Sequence, residues 1–387
     1  MNLELSEEQS AVQDLAASFT DREVVPHAAE WDRAESVDRA IIGKLAKVGF
    51  LGLTIPEEYG GSGGDHLAYC LVLEELGRGD SAVRGIVSVS LGLVGKSVNA
   101  FGTEEQKRHW LPRLTSGEAL ACFALTEPGT GSDAANLTTR AVRDGGDWLI
   151  SGAKTFITNG TWADVALVFA RTGGDAPEQR GHRGITAFLV PTGLPGFTRT
   201  EIHGKLGLRG QATAGLSFED VRVPDSARLG EVGKGFTVAM AALAKGRMSV
   251  AAGCVGIARA CLETAVRYAG EREQFGKPIA SHQLVQELLA GIAVDVEAAR
   301  LLTWKVADHI DRGLPFATES SVAKLYASEA AVRAANNALQ VFGGYGFIDE
   351  YPVGKYLRDA RVMTLYEGTS QIHQLLIGRA LTGVNAF

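Results

Sequence analysis

Hydrophobic and polar positions change rhythm twice along this chain. Up to about residue 118, apolar residues recur three and four apart. Two stretches show it, "SEEQSAVQDLAASFTDREVVPHAAEWDR" and "DHLAYCLVLEELGRGDSAVRGIVSVSLGLVGKSVNAFG", with the turn "PEEYGGSGGD" between them. That spacing predicts helices with one buried face. Between about 119 and 231, short runs such as "WLISGAKTFITN", "ADVALVFART", "GITAFLVPT" and "AGLSFEDVRVP" stand between Gly- and Pro-rich breaks. They predict strands of an antiparallel sandwich or barrel, not a parallel sheet with crossover helices. The insert "TGGDAPEQRGHRG" (172–184) reads as an exposed loop. From about 232 onward, long Ala-rich periodic segments return, punctuated by Pro278 and Pro315. Three or four long helices joined by short loops predict an up-and-down bundle. The expected fold is mostly α with a β middle domain. A helical domain covers 1–118, an antiparallel β-domain 119–231 and a four-helix bundle 232–387.

The bulk numbers fit that division. A chain of 387 residues exceeds the size at which one hydrophobic core usually divides. A formal net charge of −7 speaks against nucleic acid or an anionic membrane as the main partner. The first residues, "MNLELSEEQSAVQDLAASF", carry acids where a signal peptide would be basic, so they read as a helix. No uninterrupted apolar run looks long enough to span a bilayer. Cys70, Cys122, Cys254 and Cys261 form no CxxC pair and no metal-ligand cluster. They read as small buried thiols in a reducing cytoplasm, so a cytoplasmic protein with no metal is expected.

Candidate chemistry lies in a few short stretches. In "LYEGTSQI", Glu367 stands before a helix that Thr369 and Ser370 can already cap. The acid is spare for capping. It is either a partner of the helix dipole, worth about 0.3–1 kcal/mol, or a base on the turn before a rigid helix. "LTEPGTGSD" (125–133) is a Gly-rich loop whose backbone could approach a pyrophosphate or a flavin edge, or a plain turn. "FITNG" places Phe156 and Thr158 on one strand face, an aromatic wall beside a hydroxyl, or an ordinary strand end. "EREQFGKPIASHQ" carries Arg272, Phe275 and Gln283 at a helix break, and "QVFGGYGFIDEYP" is another Gly-rich loop. The dinucleotide fingerprint G-x-G-x-x-G before a helix does not occur.

These stretches, in this order and approximate spacing, together with "IPEEYGG", resemble the acyl-CoA dehydrogenases over essentially the whole chain. The resemblance implies an FAD enzyme, usually a homotetramer built as a dimer of dimers. Such an enzyme removes the α-proton and a β-hydride of an acyl thioester to give a trans-2-enoyl product. It implies Glu367 as the base. Some members place the base on the bundle helix instead, at the position of Gly246, where glycine cannot serve. Phe123, Leu125, Thr126, Gly131, Ser132, Phe156, Thr158, Thr369 and Gln371 match flavin contacts. Arg272, Phe275, Gln283, Gln340 and Gly344 match positions that reach a cofactor across a subunit interface. Arg84, Ser88, Ser132, Arg247, Tyr366 and Gly368 match the substrate side. An electron-transfer flavoprotein is the implied electron acceptor.

A free Glu, with a pKa of about 4.3, is too weak a base for a carbon acid. Such a base therefore has to be enclosed and raised toward roughly 6–7.

Two departures bear on the substrate. Many members read Asp-x-x-Arg on the first bundle helix, the Asp touching pantetheine. Here "ALAKGRM" keeps Arg247 and has Ala244 at the Asp position. The thioester carrier is thus either CoA or an acyl carrier protein. In "DSAVRGIVSVS", Arg84 and Ser88 are four apart and share a helix face. The glutaryl-CoA dehydrogenase branch uses an Arg and a Ser at this spacing for a distal carboxylate. That branch also carries an acid seven residues before the Arg, and here the position is Gly77. A short acyl chain is expected, with a polar or anionic far end as its extension. Arg84 as a surface or interface ion pair is the plain alternative. A flavin oxidase or monooxygenase on the same scaffold, and a non-catalytic helical interaction protein, are the competing functions.

Overall fold

A computed structural model describes residues 4–173 and 181–385. The first section is helical: α1 (Glu7–Glu23), α2 (Ala28–Ala34), α3 (Ile41–Lys47), α4 (His66–Gly79), α5 (Ser81–Val87), α6 (Lys96–Phe101) and α7 (Glu104–Thr115). Ser6 and Gln9 cap α1 reciprocally, each side chain bonded to the other's backbone N–H. Between α5 and α6, Ser88–Gly95 winds as a π-helix, a form that recurs at functional sites.

The middle section holds β1 (Ala121–Ala124), β2 (Arg140–Asp144), β3 (Asp147–Thr158), β4 (Val165–Arg171), β5 (Ile185–Pro191), β6 (Phe197–Glu201), β7 (Thr213–Pro224) and β8 (Arg228–Leu229). They form one eight-stranded sheet, in the order β6-β7-β3-β2-β4-β5-β8, with β1 on β4. The main ladders are antiparallel as expected, but β1 runs parallel to β4, and β2 meets β4 in parallel at one pair. Of the expected loop 172–184, residues 174–180 lie outside the described residues.

The last section has three long helices, α8 (Gly235–Glu271), α9 (Gln283–Asp311) and α10 (Ala317–Phe342). Two shorter ones follow, α11 (Val353–Met363) and α12 (Ser370–Thr382). A hairpin of β9 (Glu273–Gln274) and β10 (Lys277–Pro278) links α8 to α9. The expected boundaries at 118/119 and 231/232 fall in the links α7–β1 and β8–α8.

Small residues set the helix spacing. One face of α10 buries Ala323, Ala327, Ala330, Ala331, Ala334, Ala335 and Ala338, so its neighbours approach closely. Where α4 crosses α8, a Cβ on Gly77 would stand 2.6 Å from the Gly253 carbonyl oxygen, and one on Gly256 2.1 Å from that of Glu74. The two backbones touch there, which fixes α5 and the π-helix over the middle of α8. Buried Glu74 and Glu75 bind Arg259, and Glu74 also binds Arg300, so each buried charge has a partner.

One apolar core runs through all three sections, and a second lies within the sheet around Trp148, Phe188 and Phe218. Two helices, both interrupted by charges such as Arg84 and Lys245, have the length and mean hydropathy of a membrane span. They are Ser81–Phe101 and Gly235–Glu271. Both are largely buried inside the protein, as core helices of this length must be. The four cysteines are buried and unpaired.

Candidate active site

Glu367 sits in the link between α11 and α12. Its backbone is left-handed, with φ +51°, and Gly368 follows at φ +101°. A non-glycine residue in that region is strained, and such strain collects at functional sites. Thr369 caps α12 by accepting from the Ile372 N–H at 3.2 Å, and the Ser370 hydroxyl donates to Glu329. Capping therefore leaves the carboxylate of Glu367 free. Its Oε2 is buried with no hydrogen-bond partner. Burial pushes its pKa up to about 7, against the opposing charges of Arg84, Lys324 and Arg247. A carboxyl group poised there can take a proton at neutral pH.

The carboxylate points at Gly246 on α8. A Cβ on that residue would stand 2.2 Å from Glu367 Oε2 and 2.7 Å from Leu93 Cδ2. The absent side chain is what gives the acid its place. Val89 and Leu93 from the π-helix, Ala242 from α8 and half-buried Phe123 from β1 form a small apolar cluster beside it.

Below lies a polar layer. Arg84, 2% exposed, donates through Nη2 to Tyr366 Oη at 2.6 Å, and that hydroxyl donates to Met363 Sδ. The Arg84 Nε has no partner. Among the described residues no carboxylate pairs with this guanidinium at ion-pair distance. Its burial leaves no place for a surface ion pair. Gly253 lets it through, since a Cβ there would come within 2.7 Å of Arg84 Cδ. Ser88 and Ser249 share a hydrogen bond of 2.7 Å, and Arg247 donates to Ser321 at 3.3 Å. Gly77, where an acid was considered, is a helix-crossing glycine with no room for a side chain.

The expected flavin residues fall into two groups. Leu125 is buried, Thr126 half-buried, and Gly131 and Ser132 are exposed on the loop 125–133. A Cβ on Gly129 or Gly131 would meet nothing within 4 Å. Beside the loop, the Thr155 N–H donates to Thr126 O at 2.9 Å. Phe156 is 68% exposed at φ +58°. The ladder slips between Lys154 and Ile157, a bulge that re-aims the aromatic ring. Thr158 donates to Gln211 at 3.2 Å. Thr369 and Gln371 open α12.

The second group rims the bundle. Phe275, at φ +54°, and Gly276, at φ +74°, form the two-residue tip of the β9–β10 hairpin, and Phe275 is 93% exposed. Gln283 and Gln340 are exposed as well. Arg272 and Gly344 line one 440 Å³ cleft with Tyr268, Phe342 and Tyr345.

Several residues of the site escaped the sequence reading. Lys324, lone among the alanines of α10, is buried and donates to Gly368 O at 2.6 Å, holding the turn from below. His373 packs under Gly368, and burial depresses its pKa to about 3, so it stays neutral. Lys154 is buried and donates to Leu125 O at 3.0 Å and Glu127 Oε1 at 2.9 Å. Glu127 also accepts from the Thr138 and Thr139 N–H groups. Burial would raise its pKa, but Lys154 and these bonds hold it at about 2. The pair clamps the loop 125–133 to β3. A lone Lys or Glu in an apolar run was the only signal these residues gave.

Comparison with known proteins adds to this geometry. Family models described as acyl-CoA dehydrogenase N-terminal, middle and C-terminal domains match residues 6–118, 122–221 and 233–382. An acyl-CoA dehydrogenase of Bacillus subtilis is 44% identical, over 98% of this chain and 100% of that one. The butyryl-CoA dehydrogenase structure from Megasphaera elsdenii is 40% identical with a TM-score of 0.95, covering 98% of this chain and 100% of that one. A glutaryl-CoA dehydrogenase from Mycobacterium smegmatis in complex with FADH2 is 38% identical with a TM-score of 0.94, over 99% and 96%.

Proposed function

This chain belongs to the acyl-CoA dehydrogenase family and is an FAD-dependent acyl-CoA dehydrogenase, and from that premise we propose that it desaturates a short acyl-CoA between Cα and Cβ, with Glu367 removing the α-proton. The observation that carries this reading is the buried, unpartnered Oε2 of Glu367, facing Gly246 beside the recess of Val89, Leu93, Ala242 and Phe123.

The residues present fit FAD. An open glycine loop next to an aromatic ring exposed at 68% is what a flat cofactor ring would cover. Leu125, Thr126, Gly131, Ser132, Phe156, Thr158, Thr369 and Gln371 would hold it from one chain. Arg272, Phe275, Gln283, Gln340 and Gly344 would complete it from a second copy in a homotetramer. When bound, FAD supplies the acceptor for the β-hydride, and an electron-transfer flavoprotein is the proposed next carrier.

The chain's own residues do the rest. The apolar recess takes the acyl carbons and excludes water, which keeps Glu367 basic and strengthens its interactions. Glu367 Oε2 takes the α-proton. The backbone N–H of Glu367 donates to the thioester oxygen as negative charge builds there, a contact of a kind worth about 3–4 kcal/mol. Lys324 keeps the turn rigid through Gly368 O. Arg247 and Lys324 lend positive charge that favours the base form of Glu367 before it acts.

One observation favours a finer reading. Arg84 is a buried cation with a free Nε and no carboxylate partner among the described residues, and such a group is costly unless something pairs with it. We read it as the anchor for a polar or anionic acyl end. The test is anaerobic flavin bleaching of the FAD-loaded enzyme by butyryl-, isobutyryl- and glutaryl-CoA, with wild type and Arg84→Ala. Bleaching by a short acyl-CoA supports the main reading, and no bleaching by any of them overturns it. A preference for glutaryl-CoA lost in Arg84→Ala supports the finer one, and an unchanged preference ends it.

A further inference from the structure

The hydroxyl of Thr158 has one proton, and the fold spends it. It donates to Gln211 Oε1 at 3.2 Å, so toward any other group the Thr158 oxygen offers only lone pairs. Gln211 is 6% exposed and lies on the turn that leads into β7, where its backbone N–H donates to Leu208 O at 3.0 Å. That turn is pinned from outside the sheet, since the Leu208 N–H donates to Asp359 Oδ1 on α11 at 2.6 Å. The ladder pairs Thr158 with Thr213. The Thr213 hydroxyl donates to the Gln211 backbone O at 3.3 Å and, at a longer 3.5 Å, to Oε1. The amide oxygen is thereby set beside the end of β3, while the amide nitrogen points at α5. A Cβ on Gly85 would stand 2.1 Å from Gln211 Nε2, so the bare backbone of Gly85 gives the amide its room.

A ring that takes up a hydride changes what its edge offers. Where the oxidised isoalloxazine has a bare ring nitrogen, which can only accept, the reduced ring has an N–H, which can only donate. A hydroxyl with a free proton turns to suit either form. One whose proton is held elsewhere bonds to the reduced form alone. Hydrogen bonds to ring nitrogens are a means by which a protein tunes such a cofactor, and a hydride leaving an unactivated carbon needs an acceptor whose reduced form is favoured.

Resting on the reading of Thr158 as a flavin contact given above, we propose that Gln211 is a positioning residue for that hydroxyl. By holding the Thr158 proton it presents lone pairs to the flavin edge that gains hydrogen, and so raises the reduction potential of bound FAD. Gly85 belongs to the device, because it lets the amide lie between α5 and β3.

The test is the reduction potential of bound FAD, read by equilibrium with a reference dye and no acyl-CoA present, in wild type, Gln211→Leu, Thr158→Val and the double variant. Gln211→Leu should lower the ratio of reduced to oxidised flavin about three- to tenfold, a downward shift of about 15–30 mV for a two-electron couple. Thr158→Val should lower it as well, because the reduced ring loses its acceptor. In the Thr158→Val background, Gln211→Leu should then shift nothing further. A mere loss of packing at Gln211 would act in both backgrounds alike, and that result overturns the proposal. So does an upward shift in Gln211→Leu, which would mean that the amide donates to Thr158 instead of accepting from it. An unmoved potential in Gln211→Leu beside a lowered one in Thr158→Val overturns the role of Gln211 and leaves Thr158 standing. An unmoved potential in Thr158→Val overturns both. Titration of the apoprotein with FAD keeps the underlying reading separate, since a wild type that binds no FAD refutes that reading itself. If Gln211→Leu fails to load FAD, Gly85→Ala displaces the same amide and must lower the potential, and an unmoved potential there is equally decisive.

Discussion

Replacing Gly246 by Ala is the smallest perturbation that bears on how this site is built. The added methyl would stand 2.2 Å from Glu367 Oε2 and 2.7 Å from Leu93 Cδ2. Ordinary contact between such atoms begins near 3.5 Å, so the carboxylate has to withdraw by roughly 1 Å or more, or Leu93 and α8 must yield. Overpacking of this kind costs about 1–3 kcal/mol of stability. A misplacement of about 1 Å in a reacting group costs roughly 100-fold in rate. None of the flavin residues lies on the α8 turn that carries Gly246, so FAD loading should survive. The assay is the rate of anaerobic bleaching by butyryl-CoA, with the visible spectrum and melting temperature as controls. The expected outcome is a yellow, folded protein that bleaches about 100-fold more slowly. Wild-type bleaching with an unchanged pH profile would refute the claim that an empty position at 246 is what seats the acid.

Three further expectations follow from the same geometry. Because Glu367 must be ionised to accept a proton and burial puts its pKa at about 7, log kcat/KM should fall as pH drops below about 7 and level off above it. A flat profile from pH 5 to 8 would contradict that assignment. The same shift has a stability sign. The folded-state pKa lies above the ordinary glutamate value of 4.5, so the unfolded chain ionises first, and Glu367 costs the fold increasing stability as pH climbs from 4.5 toward 7. Glu367→Gln should remove that part of the slope in denaturant titrations. Lys154→Met, which takes away the cation beside buried Glu127 and leaves it only the Thr138 and Thr139 donors, should cost about 3 kcal/mol of stability and weaken FAD binding to the apoprotein; unchanged FAD affinity would show that the clamp does not position the loop.

Much of this architecture was readable because its signals are local. The helical period of α8 to α10, the alternating runs of β3 and β7 and the short continuous apolar runs of β4 and β5 each fix an element from its own neighbours. The spare acid at Glu367 could likewise be recognised from Thr369 and Ser370 alone, since capping chemistry is decided within four residues. Residues that act across the fold were not legible. Gly246, Gly77 and Gly253 matter for what they fail to occupy on an opposing element, and nothing beside them in the chain says so. Lys324 lies in an ordinary helical pattern, and only the packing of α10 against the turn gives it a role. Parallel pairing of β1 with β4 was equally hidden, because strand pattern reports a buried face and not the direction of its neighbour.

The most direct measurement is anaerobic bleaching by butyryl-CoA of Glu367→Gln loaded with FAD. Glutamine keeps the size of the side chain and the left-handed turn while removing the base. The account predicts a normal flavin spectrum and bleaching slower by about 100- to 10,000-fold. A mutant that bleaches at the wild-type rate would contradict it, and the proton would then have to leave by another group.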